Sequence, residues 1–288
     1  MVIPGHNNFT MNQSNISVTR KKDRFFYNKV VVVTGSSRGI GKATALKFLE
    51  AGARVVINGR NPESLRKTGT EFTQLGFQPL EVAGDMSDFG ACKRLINRTI
   101  EHFGRIDILV NNAGVGFRGK FENTAPDVFK QVIDANLMSA IYCTKAALEL
   151  VKKTKGSIVF ISALSGVLGT PENGPYNIAK MGLNALARTL KLEMHGTGVH
   201  IGIVMVGLTE YDKDNKVISY VGSSIPFHRN WHQTMEQAAI EILMMVRKRK
   251  FQAILTTQGK MGFLIQKISP SFVEWVIRNS TQTKDYSK

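Results

Sequence analysis

At 288 residues and 43% hydrophobic side chains, the chain is long enough for one large α/β domain or two small ones. No window approaches the roughly 18 apolar residues of a membrane span. The net charge is +16 and unevenly placed, with five basic residues against one acid in residues 1–30 and nine against two in residues 245–288. That balance suits nucleic acid, anionic lipid or solubility, and with no nucleic-acid motif beside it nucleic-acid binding is set aside.

Residues 1–28 read as a flexible arm, with Phe25, Phe26 and Tyr27 packing at the domain edge. Polar residues stand where a signal peptide needs an apolar core, so the Asn-x-Ser/Thr triplets at Asn8, Asn12 and Asn15 are read as idle, and Met11 offers an alternative start. Four valines, Val30 to Val33, predict a strand buried on both faces. The run ends in TGSSRGIG, with Gly35, Gly39 and Gly41 spaced GxxxGxG, and passes at once into the helical pattern KATALKFLEAG. Strand, glycine-rich turn and helix form a unit whose backbone approaches a pyrophosphate at the helix N-terminus.

Downstream, strands are predicted at Arg54–Asn58, Phe77–Ala83, Ile106–Val110, Gly156–Ser162, Val199–Val206 and Gln252–Leu255. Between them lie helices over Pro62–Leu75, from a Ser87 or Asp88 cap to Phe103, over Pro126–Lys153, over Tyr176–His195 and over Thr234–Arg249. Short connections and strict alternation predict a single-domain, doubly wound Rossmann fold with a seven-stranded parallel sheet over residues 29–257. GVGFRGKF reads as a loop, Thr209 to Trp231 as a longer polar one, and residues 258–288 as a helical tail. Cys92 and Cys143 have no metal-like spacing; no metal is expected, and a reducing, cytoplasmic compartment suits them.

Tyr176 and Lys180 stand four apart in YNIAK, on one helix face. An ammonium there lowers a phenol's pKa from about 10 and makes the tyrosine a general acid/base for a carbonyl or alcohol.

Four motifs in order, TGSSRGIG, the NNAG of Asn111 to Gly114, Asn136 in DANLMSA, and Tyr176 with Lys180, make residues 29 to 257 resemble the short-chain dehydrogenase/reductase superfamily. Within it, the hydroxysteroid dehydrogenase-like and membrane-associated branches are the nearest in feel. The resemblance implies that Gly35, Ser37, Arg38, Gly39, Ile40 and Gly41 hold the pyrophosphate end of a nicotinamide cofactor. Asp85 would accept from the adenine amino group with Met86 beside the ring, Ala113 and Gly114 would line the ribose, and Asn112 would help hold the fourth strand. Asn136 would hold a water of a proton relay, Lys180 would also grip the nicotinamide ribose, and Gly207 and Thr209 would contact the nicotinamide amide and phosphate. After the second strand comes Asn58-Gly59-Arg60-Asn61 rather than an acid, and Arg60 with Arg38 suits a 2′-phosphate, so the cofactor expected is NADP(H).

Two positions depart from the family. Its serine, thirteen residues before the tyrosine, falls on Ala163; Ser162 should face the other side of its strand, and Ser165 lies in the following loop. Val206-Gly207-Leu208-Thr209 replaces the family's Pro-Gly. The expected function is therefore an NADP(H)-dependent oxidoreductase interconverting a ketone and a secondary alcohol; the alternative is an NADP(H)-binding protein with weak or no turnover because of Ala163. By analogy the substrate is bulky and apolar, its specificity set by the loop after the sixth strand, where Val221, Ile225, Phe227 and Trp231 could line a pocket, and by the tail. Relatives imply a homodimer or homotetramer through the helices Pro126–Lys153 and Tyr176–His195. The apolar, basic tail reads first as helices packed on the core or on a partner subunit, and second as a peripheral contact with an anionic membrane.

Overall fold

The computed structural model describes residues 23–210, 216–226 and 233–281. In chain order the elements are β1 (Val30–Val33), α1 (Gly39–Glu50), β2 (Arg54–Gly59), α2 (Pro62–Gln74), β3 (Leu80–Ala83), α3 (Phe89–Phe103), β4 (Ile108–Asn111) and β5 (Gly116–Arg118). Next come α4 (Pro126–Ile133), a π turn (Asp134–Met138), α5 (Ser139–Lys153), β6 (Ser157–Ala163), α6 (Ser165–Leu168), α7 (Gly174–Glu193) and β7 (His200–Val206). Then follow β8 (Lys216–Ser219), β9 (Ser224–Pro226), α8 (Met235–Arg247), β10 (Gln252–Ile254), α9 (Thr257–Ile268) and α10 (Pro270–Thr281).

Seven strands make one all-parallel sheet in the order β10-β7-β6-β4-β1-β2-β3. Val31 sits beside Val55 on one side and Ile108 on the other, so the valine run is at the centre of the sheet and wholly buried. Each face of such a sheet needs a helical cover. On one face Cys92, Leu95, Ala140, Ala147, Leu183 and Ala187 of α3, α5 and α7 pack against Val32, Leu109 and Phe160. On the other, Phe48 of α1, Leu65 and Phe72 of α2 and Ile242 of α8 pack against Val31, Val33 and Val204.

From β1 the chain winds outward through β2 and β3, then returns to the other side of β1 as β4. The reversal leaves a crevice at the C-terminal ends of β1 and β4, the place where an open α/β sheet receives ligands. Residues 23–28, inside the expected 1–28 arm, fold onto the body: Phe26 is buried against Phe48, and Arg247 donates to Asp23 at 3.0 Å.

Four predicted segments differ. GVGFRGKF contains β5, and the polar loop contains the hairpin β8–β9; together they form a second, three-stranded sheet in which β5 runs parallel to β8. These strands have three or four residues, too few for a period-2 pattern, and their pairing spans about a hundred residues of chain. The long helix expected over Pro126–Lys153 is interrupted by the π turn, where the Asn136 amide donates to its own helix at the Val132 carbonyl. β3 is shorter than expected, as an edge strand with alternating burial.

Candidate active site

The glycine turn after β1 is held by polar groups rather than by apolar packing. Thr34 Oγ1 accepts from the backbone N–H of Asn112 and of Ala113, both at 3.0 Å. The Asn112 side chain donates to the carbonyls of Thr34 and Gly35 at 3.0 and 2.9 Å, so it ties the turn to β4. Asn58, at the end of β2, accepts from Gly35 N–H and donates to the Val82 and Gly84 carbonyls, joining the turn to β2 and β3. Gly35 and Gly39 both have φ of +62°, and a Cβ on Gly35 would lie 2.8 Å from the Ala113 Cα. A Cβ on Gly41 would collide with the Gly35 carbonyl.

Helices α2, α3, α8 and α9 are capped by the side chains of Asn61, Asp88, Thr234 and Thr256. Helix α1, which begins at this turn, has no side-chain cap and no acid in its first turn. Its amides point at the crevice with the positive end of the helix dipole behind them, which suits a pyrophosphate.

The crevice continues as a cleft of about 1610 Å³. That exceeds the roughly 300–1,000 Å³ of a single small-molecule pocket and leaves room for a dinucleotide with a substrate beside it. At one end it is lined by Gly35, Ser37, Arg38, Gly39, Ile40, Gly41, Arg60, Asp85 and Met86, in the middle by Asn112, Ala113, Gly114 and Asn136, and further on by Tyr176, Lys180, Gly207 and Thr209. Every residue expected to hold the cofactor or to act in catalysis therefore borders this one cleft. Arg38 and Arg60 are exposed at its rim, and Arg60 Nη1 is 3.8 Å from an Asp85 carboxylate oxygen whose partner oxygen accepts from Ser87. Met86 is buried, its carbonyl accepting from the Cys92 thiol. The Thr209 hydroxyl is engaged, donating to the Gly207 carbonyl at 3.3 Å and accepting from Gln233 at 2.6 Å.

Tyr176 and Lys180 project from the first two turns of α7, with Lys180 Nζ 5.3 Å from the centre of the Tyr176 ring. Lys180 is 5% exposed and donates to the Ile161 carbonyl at 3.0 Å. Burial away from any counter-ion lowers its pKa from 10.5 to about 8. The Asn136 amide donates to the Val115 and Val132 carbonyls, which turns Oδ1 towards Gly114. That oxygen is buried and has no hydrogen-bond partner among the described residues, and a Cβ on Gly114 would strike it while standing 3.7 Å from Lys180 Nζ. Asn136 Oδ1 and the Lys180 ammonium thus flank the same small space.

Strand β6 brings the methyl group of Ala163 to the cleft wall. The Ser162 hydroxyl is buried and donates to the Lys180 carbonyl at 3.1 Å, so it is used in packing α7 on the sheet. Ser165 borders the cleft, and its hydroxyl is buried without a partner among the described residues.

At the far end the lining departs from the expected apolar loop. Val221 is exposed at the β8–β9 turn and neither it nor Ile225 borders the cleft; Phe227 and Trp231 lie outside the described residues. The wall there is built instead from Leu164, Leu168 and Leu208, with Ile277 of α10 closing one side. Lys216, Glu210, Glu274, Arg278 and the ion pair Arg118–Glu172 (2.8 Å) set a charged rim around it. Sequence reasoning assigned no role to the Thr34 hydroxyl or the Asn58 side chain, although a polar Asn ending the apolar run RVVIN was a signal for the second.

Cys92 and Cys143 are free, buried thiols with Sγ atoms 3.3 Å apart, and no group of His, Cys, Asp and Glu among the described residues could hold a metal. No helix among those residues is long and apolar enough to cross a membrane.

The profile of the short chain dehydrogenase family matches residues 29–219. Dehydrogenase/reductase SDR family member 7B of Rattus norvegicus is 32% identical over 281 residues, covering 94% of this chain and 86% of that protein. The 3alpha-hydroxysteroid dehydrogenase of Mediterraneibacter gnavus is 31% identical over 189 residues, 64% of this chain and 75% of its own. A solved dehydrogenase/reductase from Sinorhizobium meliloti superimposes with a TM-score of 0.69 at 24% identity, over 80% of this chain and 94% of that one, a likeness of fold.

Proposed function

Because the chain belongs to the short-chain dehydrogenase family, whose members bind a nicotinamide cofactor, we propose that it is an NADP(H)-dependent oxidoreductase interconverting a ketone and a secondary alcohol on a bulky, largely apolar substrate. The observation that carries the reading is the convergence of the uncapped α1 N-terminus, the Tyr176–Lys180 pair and the Asn136 oxygen on one cleft. The residues fit the cofactor: glycines with no Cβ let backbone amides approach phosphates, and the exposed guanidiniums of Arg38 and Arg60 at the cleft rim suit a 2′-phosphate, with no acid at the end of β2 to repel it. When bound, the cofactor supplies or accepts a hydride at the substrate carbon.

The protein's own part is the proton and the charge. Tyr176 gives its phenolic proton to the carbonyl oxygen, or takes one from the alcohol. Lys180, as the ammonium, favours the phenolate that remains. Asn136 Oδ1 accepts from a water that passes the proton on from Lys180. Leu164, Leu168, Leu208 and Ile277 hold the apolar body of the substrate, and the steroid-acting relative is in keeping with that class. Ser165 borders the cleft with an unpartnered hydroxyl that is buried in this structure, and it becomes the donor to the substrate oxygen in place of a residue at 163 only by turning that hydroxyl out to the cleft.

A second reading, an NADP(H)-binding protein with weak or no turnover, is favoured by the methyl group of Ala163 at the cleft wall. Removing one such donor raises the barrier by about 3–4 kcal/mol. NADPH oxidation over a panel of steroid, quinone, keto-acyl and small ketones, with wild type, Ala163→Ser and Ser165→Ala in parallel, separates the two. Turnover by wild type that Ser165→Ala abolishes supports the enzyme; turnover by Ala163→Ser alone supports the binding protein.

A further inference from the structure

Helices α9 and α10 pack as a hairpin broken at Pro270, and the hairpin has two unlike sides. Its inner side is anchored: Gly259 and Val273 are buried, Gly259 lies against Leu164, and α10 turns Glu274, Ile277 and Arg278 to the cleft. At 100° per residue, Phe272, Trp275 and Val276 fall on the opposite side of α10. On α9, Met261, Leu264 and Ile268 likewise share one stripe. These six large apolar side chains are between 41% and 76% exposed, on a protein whose core is otherwise well filled. Two packed helices that each expose an apolar stripe are more than scattered surface residues and mark an interaction surface.

The chemistry around the patch identifies what it meets. Lys260 and Lys267 lie on α9 about a quarter-turn from its apolar stripe, both exposed, where long stems can run along an apolar surface and keep the ammonium in water. Lys267 Nζ already lies 4.8 Å from the centre of the Phe263 ring. Phe272 and Trp275 stack with their rings 6.0 Å apart at the outer face, and Trp is a residue of membrane–water interfaces. Residues 245–288 carry nine basic residues against two acids. Apolar residues with an interfacial aromatic pair, flanked by lysines, match the boundary of an anionic bilayer.

We propose that the outer face of the α9–α10 hairpin docks this protein on an anionic lipid surface, lying in the headgroup layer without crossing it. Because the inner face of α10 forms a wall of the cleft, docking sets the cleft beside the bilayer. The corollary that an apolar substrate arrives from the lipid rests on the oxidoreductase reading; the docking itself does not.

The test uses the full chain and vesicles of phosphatidylcholine alone or with 30% phosphatidylserine added, at about physiological salt. Sedimentation with vesicles is read beside the emission of Trp275 in a Trp231→Phe background. The proposal expects binding to the anionic vesicles, at least tenfold weaker on phosphatidylcholine alone, with a blue shift of Trp275 and its quenching by brominated acyl chains. Leu264→Ser with Phe272→Ser should lower binding at least tenfold, and Lys260→Gln with Lys267→Gln should lower it severalfold and flatten its salt dependence. NADPH affinity, which does not involve these residues, reports that each variant is folded. Binding that persists in the double serine variant would overturn the assignment. So would wild type that ignores both vesicles, or that buries Trp275 by self-association in the absence of lipid, which would make the face a contact between copies of this chain.

Discussion

Lys180→Met separates the cost of the buried ammonium from its use. In the folded protein Lys180 is enclosed, touches the Ile161 carbonyl, and has its pKa lowered from 10.5 to about 8 by burial. The unfolded chain, at its ordinary value, binds more protons than the folded one between pH 8 and 10.5. Stability therefore rises with pH across that window. A shift of this size corresponds to about 3 kcal/mol of destabilisation at pH 7, of which about 2 kcal/mol is relieved by pH 9.5. Methionine has no proton to lose, so the wild type should gain about 2 kcal/mol on Lys180→Met between pH 7 and 9.5. Urea unfolding of both proteins at four pH values, without nucleotide, gives the difference directly. Parallel stability curves would refute the reasoning, since they would mean that the ammonium is solvated. The same titration predicts that turnover declines as the pH rises above about 8, where the charge that favours the Tyr176 phenolate is lost.

Other expectations follow from the same geometry. Where Ser165 does not supply the donor, Ala163→Ser should raise kcat about 10²–10³-fold for a substrate that wild type turns over slowly; where Ser165 does supply it, kcat should change little, with NADPH affinity unchanged in both cases, as read by steady-state kinetics and fluorescence titration. Arg38→Ala combined with Arg60→Ala should weaken NADPH binding about 10- to 100-fold and NADH binding little; equal losses for both would remove the argument for a 2′-phosphate. Gly35→Ala forces a side chain to φ of +62° and against the Ala113 backbone, so it should cost at least 1–2 kcal/mol in urea unfolding and abolish nucleotide binding.

The parallel sheet was legible because its strands are apolar, β-branched runs and its helices repeat at short intervals, both of which are local patterns. Val30–Val33 lies where the sequence puts it, and the boundaries of α2 and α3 follow from the caps at Asn61 and Asp88. The cleft residues were legible through the resemblance to the short-chain dehydrogenases, which the glycine turn, the NNAG segment and the Tyr–Lys pair carry in order. What the sequence hid was non-local. Strand β5 exists only because β8 pairs with it, and at the π turn the Asn136 amide donates to the Val115 carbonyl, 21 residues back in the chain. Of the expected substrate wall, Val221 and Ile225 of the 209–231 segment do not border the cleft, while Ile277 of the tail does.

The measurement that bears most directly on the oxidoreductase reading is a single-turnover reaction of wild-type protein with NADPH, and separately with NADH, in the presence of a bulky apolar ketone. Loss of absorbance at 340 nm is followed beside mass-spectrometric detection of the alcohol. One equivalent of alcohol should form for each NADPH consumed, with NADH consumed far more slowly. Stoichiometric NADPH binding with no alcohol formed by wild type, while Ala163→Ser forms it from the same ketone, would contradict that reading and leave a protein that holds the cofactor without using it.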